Sequence, residues 1–81
     1  MKIEIADRAL TSLRKAPPAV RKAFHKQIIL LERTLFHPSL HTKKYDEAND
    51  LWQAPVNRSW RFYFLIRADK YIITDVVPHP K

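Results

Sequence analysis

A planar guanidinium can donate to two phosphate oxygens at once, which makes arginine the usual side chain for clamping a phosphate. Arg61, inside the run Trp60-Arg61-Phe62-Tyr63-Phe64, is the first candidate for that role. The competing reading is an arginine paired with Asp75 or Asp69 across neighbouring strands. His79 is the only histidine in the second half of the chain. Its imidazole can serve as a general acid or base near neutral pH, or it is a frayed residue near a terminus. Lys43, Lys44 and Arg58 offer point charges for a nucleic-acid backbone; as ordinary surface cations they would do nothing more. Trp52 and Trp60 can stack on bases, although strand tryptophans in a small domain more often belong to the core. His37 and His41 are four apart, a metal-like interval on a helix, but Pro38 lies between them. Without a carboxylate or thiolate in register, no metal is expected there, and no cofactor elsewhere.

These side chains need a scaffold, and the chain is short. Its 81 residues predict a single domain, 1–81, with a thin core. An apolar share of 46% with nine aromatic residues argues against disorder. The absence of cysteine excludes a disulfide framework and a thiolate zinc site. No apolar run approaches the ~20 residues of a membrane span, and Met1-Lys2-Ile3 opens no secretory signal, so a soluble, cytoplasmic protein is expected. The net charge of +7 is unevenly distributed. Residues 1–44 hold ten basic and three acidic residues, whereas residues 45–81 hold five of each. One-sided basic charge predicts attraction to a polyanion or an acidic partner.

Hydrophobic periodicity gives the elements. Lys2–Ala6 alternates as a short strand. Asp7 is placed to cap a helix running through Lys15, which Pro17-Pro18 ends. A second helix is predicted over about 19–36, where Val20, Phe24, Ile28, Leu31 and Leu35 form one apolar stripe. After a basic connection (His41-Thr42-Lys43-Lys44) and a polar turn (46–50), the period changes to two. Strands are predicted over Leu51–Val56, Trp60–Arg67 and Tyr71–Val77, with Pro55 pushing the first toward an edge or a bulge. No glycine is present, so Pro, Asn, Asp and Ser must build the turns. The expected class is α+β in the order β-α-α-β-β-β, a helical hairpin packed on an antiparallel sheet.

This order, together with His37-Pro38-Ser39-Leu40, Lys43-Lys44, Asp50-Leu51-Trp52, Val56-Asn57-Arg58-Ser59-Trp60-Arg61-Phe62 and Val76-Val77-Pro78-His79, resembles the RelE/ParE superfamily of bacterial toxins. The resemblance is closest to RelE- and HigB-like members. It implies the toxin of a type II toxin–antitoxin system, neutralised by a cognate antitoxin. RelE-like members are mRNA interferases: metal-independent endoribonucleases that cut mRNA on the ribosome and inhibit translation. ParE-like members instead inhibit DNA gyrase and cut nothing. Under the nuclease reading, Arg61 matches the signature arginine that clamps the phosphate, and His79 matches the basic or histidine position near the C-terminus. Lys43, Lys44, Arg58 and Trp52 would then hold RNA. Nuclease members carry ionisable residues at alternate positions of the strand after the connection, where this chain has Gln53 and Pro55. Those two residues favour the gyrase reading or a degenerate toxin that only pairs with an antitoxin.

Overall fold

The computed structural model describes residues 2–78. Strand β1 (Lys2–Ile5) leads into helices α1 (Asp7–Lys15) and α2 (Pro18–Arg33). A 3-10 turn at Pro38–Leu40 precedes β2 (Lys43–Asp46), β3 (Leu51–Pro55), β4 (Trp60–Arg67) and β5 (Lys70–Pro78). The strands form one sheet in the order β1-β5-β4-β3-β2. The helical hairpin on a sheet is therefore as expected, but the sheet is mixed and has a strand more. β1 pairs with β5 in parallel, from Lys2↔Lys70 to Ile5↔Ile73. Alternation identifies a strand without identifying its partner, so this direction was not legible beforehand. The basic connection after His41 is itself the edge strand β2. Its Lys-Lys-Tyr-Asp sequence lacks the apolar alternation of a half-buried strand, as suits an edge.

The helices follow their breakers. Pro17 caps α2 and Pro18 occupies its first turn, where a missing N–H costs nothing. The cap of α1 is Ala6, which has no side-chain bond, and Asp7 instead places its charge in the first turn. α2 ends at Arg33, three residues short of the expected boundary. Thr34 is extended there, and its hydroxyl accepts from the Phe36 N–H at 3.2 Å, a local bond that competes with continuing the helix. Val20, Phe24 and Leu31 of the apolar stripe are buried, while Ile28 and Leu35 pack at the margin. Phe62 and Phe64 of β4 are fully buried beneath the helices. Phe24 meets Phe62 edge-on at 5.4 Å, and Phe64 meets Tyr71 in the same way at 5.7 Å.

Pro55 ends β3 opposite Arg61 of β4, and β2 reaches only as far as the pair Lys43↔Gln53. The proline thus lies beyond the edge strand, where its lost donor is not missed. Its carbonyl accepts from Gln27 Nε2 at 2.8 Å, tying α2 to β3. Asn57 turns the next hairpin through its side-chain oxygen, which accepts from the backbone N–H of Ser59 and Trp60 at 2.8 and 2.9 Å. With no glycine to use, the chain adopts positive φ at His41, Asp50 and Ala68.

Ala68, at φ 53°, has no polar side chain to compensate the left-handed backbone. Ala68→Gly should raise unfolding stability by about 0.5–1 kcal/mol, read as a higher urea midpoint at unchanged slope. Asp50 gives a pH prediction. The hydrogen bond from Lys44 and the charges of Lys44 and Arg67 hold its carboxyl below the ordinary aspartate value. A carboxyl lowered in the folded state stabilises fully above the unfolded value, about pH 4, and progressively less below it. Melting temperature should accordingly fall less between pH 5 and 2.5 in Asp50→Asn than in the unsubstituted protein. Parallel melting curves would show that Asp50 contributes nothing.

Candidate functional site

Period two divides the residues of β3 and β4 between two faces. Trp52, Ala54, Phe62 and Phe64 turn toward the helices and the core. Leu51, Gln53, Pro55, Arg61 and Tyr63 are left on the open face. Register then sets their neighbours: Lys43 lies opposite Gln53, Gln53 opposite Tyr63, and Pro55 opposite Arg61. A hollow of about 340 Å³ opens on this face, lined by His41, Lys43, Gln53, Ala54, Pro55 and Arg61. It has two cationic side chains and no carboxylate.

Arg61 is held within the hollow. Its Nη1 donates to Gln53 Oε1 at 2.7 Å, a diagonal bond across the β3–β4 pair. Its Nε is buried and has no hydrogen-bond partner among the described residues. Neither expected carboxylate reaches it. Asp75 accepts from Arg8 Nε at 3.0 Å, from Ser12 Oγ at 3.2 Å and from the Val76 N–H at 2.9 Å. Asp69 sits in the turn between β4 and β5, at the opposite end of the hairpin from Arg61, where its carbonyl accepts from the Lys2 N–H. Among the described residues Arg61 has no ion pair.

The other candidates divide by face. Lys43 joins Arg61 in the hollow. Lys44 and Trp52 pair with each other on the opposite side. There the Lys44 ammonium lies 4.7 Å from the Trp52 ring centroid and makes an ion pair with Asp50. Trp52 stacks on Phe64 at 6.3 Å, and Trp60 also packs against the core. Arg58 is exposed in the β3–β4 turn and lines a different hollow, of about 700 Å³, with Lys26, Gln27, His37 and Ser39. His37 caps the 3-10 turn, its Nδ1 accepting from the Ser39 N–H at 3.1 Å. His79 lies outside the described residues.

Two residues of the open face were missed from sequence. In the sequence His41 stands four from His37 and opens the basic connection; in the fold it is the left-handed residue that ends the 3-10 turn and borders the Arg61 hollow. Tyr63 was counted as a strand residue, yet its place two beyond Arg61 puts it on the same face, a signal that alternation alone contains.

No helix of the described residues is long and apolar enough to cross a membrane. No protein-family model matches the sequence, and no curated protein matches it. Similarity appears in three dimensions. The chain superposes on the YoeB/ParE toxin from Agrobacterium tumefaciens with a TM-score of 0.82 at 12% identity, covering 99% of this chain and 100% of that one. The isolated E. coli RelE toxin gives a TM-score of 0.79 at 16% identity, over 99% of this chain and 85% of the other. A RelB–RelE antitoxin–toxin complex from Methanococcus jannaschii gives 0.79 at 17% identity, over 93% and 88%. The protein has the same α+β fold as these RelE and YoeB/ParE toxins.

Proposed function

We propose that residues 1–81 form a single toxin domain of a type II toxin–antitoxin system that arrests translation by cutting mRNA on the ribosome in the cytoplasm. The observation that carries this reading is Arg61, oriented by a neutral amide, free of any carboxylate among the described residues, and set beside Lys43 on an open face. The net charge of +7 supports it, since ribosome and mRNA are dense polyanions. So does the likeness to toxins solved with and without antitoxins; a cognate antitoxin is the proposed protein partner here.

The chemistry needs no metal. The RNA's own 2′-OH attacks the adjacent phosphorus, its proton passes to a base, and the bond to the 5′ oxygen breaks as that oxygen takes up a proton. Negative charge accumulates on the non-bridging oxygens during the step. Arg61 can grip two of them through its fork, and Lys43 adds a point charge. His79 is assigned the proton transfer. Arg58, outside the hollow, would follow the RNA backbone further along. Lys44 and Trp52 face the other way and take no part in this site.

Gln53 supports a second reading. An amide cannot exchange a proton at neutral pH, so a non-enzymatic inhibitor of DNA gyrase with the same fold would need nothing more at this position. Following amino-acid and thymidine incorporation in parallel after induced expression separates the two. Protein synthesis should fall first, with mRNA broken where ribosomes sit; an early fall in DNA synthesis with translation intact would overturn the nuclease reading.

Two substitutions test the clamp. Arg61→Ala should reduce mRNA cleavage by roughly 10²–10³, the usual effect of deleting one charge-stabilising donor, at unchanged melting temperature. Gln53→Glu should also weaken toxicity, because a carboxylate at that distance draws the guanidinium into an ion pair, and Gln53→Ala, which removes only the orienting acceptor, should weaken it less. Survival of induced cells reads both, and full toxicity in Gln53→Glu would show that the charge of Arg61 is not what matters.

A further inference from the structure

The open face continues beyond the Arg61 hollow. A second concavity, of about 270 Å³, is lined by Arg8, Tyr45, Leu51, Tyr63, Thr74 and Asp75. Tyr45 and Tyr63 meet there with ring centroids 4.9 Å apart and planes inclined by 62°. Tyr63 follows Arg61 by two residues on β4, so their backbone attachment points are about 6.7 Å apart on one face.

Both irregularities of the sheet fall beside this pair. The β2–β3 register slips between Lys44 and Asp46, which leaves Tyr45 as the extra, unpaired residue. The β4–β5 register slips at Tyr63/Phe64, where Thr74 is the extra residue on β5. Thr74 Oγ1 in turn donates to the Tyr63 carbonyl at 3.3 Å. A bulge re-aims the side chain at which it occurs and bends the strand. Tyr45 lies two beyond Lys43 and so shares the face of Tyr63; the bulge leaves it without a partner on β3, and the other bulge bends β5 next to the pair. Core packing explains the β5 bulge, which brings both Ile73 and Val76 into the core; it does not explain Tyr45, which is 56% exposed beside Tyr63.

We propose that Tyr45 and Tyr63 form a stacking subsite for one base of single-stranded RNA, adjacent to the phosphate held by Arg61. The inference rests on the ribonuclease reading and deepens it: the hollow holds the backbone, and the tyrosine pair holds a neighbouring base. Stacking fits a single strand because every base presents a π-face. Arg8, its Nε fixed by Asp75 and its side chain 81% exposed, stands at the rim as a donor to acceptors on the base edge.

The test uses the full chain with ribosomes programmed by a short mRNA, comparing kcat/KM and melting temperature. Tyr63→Ala should lower kcat/KM by roughly tenfold or more, the usual size of one lost base–aromatic stack. Tyr63→Phe keeps the ring and should stay within about twofold, since the ring does the stacking. Tyr45→Ala removes an exposed side chain, so its loss of kcat/KM should come with no loss of melting temperature. A second series replaces each nucleotide flanking the cleaved bond by an abasic one. At one position the substitution should erase the difference between Tyr63→Ala and the unsubstituted protein, which a purely structural tyrosine would not do. Alanine variants that cleave as well as the unsubstituted protein overturn the subsite and leave the nuclease reading standing. No cleavage by the unsubstituted protein overturns both.

Discussion

Everything the open face presents depends on which way Phe62 points. Phe62 is fully buried, edge-on to Phe24 of α2. With a period of two, its inward position forces Arg61 and Tyr63 outward, and Phe64 inward. A slip of one residue would expose both phenylalanines, at about 1.5–3 kcal/mol each. It would also push an unpaired guanidinium into the core, at a cost of several kcal/mol. The two penalties have the same sign. The aromatic core thus fixes the register of β4, and that register displays the arginine.

Displaying a charge also requires keeping it from being cancelled. Asp75 is the only acidic residue within β3, β4 and β5. It is already engaged by Arg8 and Ser12 of α1. The first helix therefore does more than cover the sheet, since it occupies the carboxylate that could otherwise pair with Arg61. Gln53 completes the arrangement by orienting the guanidinium with a neutral acceptor. At the other end of β2, Lys44, Asp50 and Arg67 balance one another on the margin of the core.

Much of this was legible in the sequence. The stripe from Val20 to Leu35 and the alternation from Trp60 to Arg67 identified α2 and β4, because burial on one side leaves a period. Arg61 was legible as a candidate for the same reason: a charged residue between buried aromatics must face away from them. β2 was not legible, since an edge strand with charged and polar residues leaves no apolar period. The parallel pairing of β1 was hidden because partner choice is a long-range property. The separation of Lys43 from Lys44 depended on β2 being a strand at all, since adjacent residues in a loop do not have to diverge. Tyr45 was unreadable as a site residue because its place two beyond Lys43 assigns it to the open face only once β2 is known to be a strand.

Fold alone does not choose between cutting RNA and binding gyrase; the chemistry of the residue beside Arg61 bears on the choice. A carboxylate at Gln53 could accept a proton, but it would draw the guanidinium into an ion pair and weaken its hold on phosphate. A lysine there could stabilise charge, but it would repel Arg61 at hydrogen-bonding distance. Glutamine does neither: it orients the cation and leaves its full charge available. A site built this way is strong in electrostatic stabilisation and poor in proton transfer. The nuclease reading therefore requires the proton to move through a group outside β3, and His79 is the residue of suitable chemistry that β5 leads to.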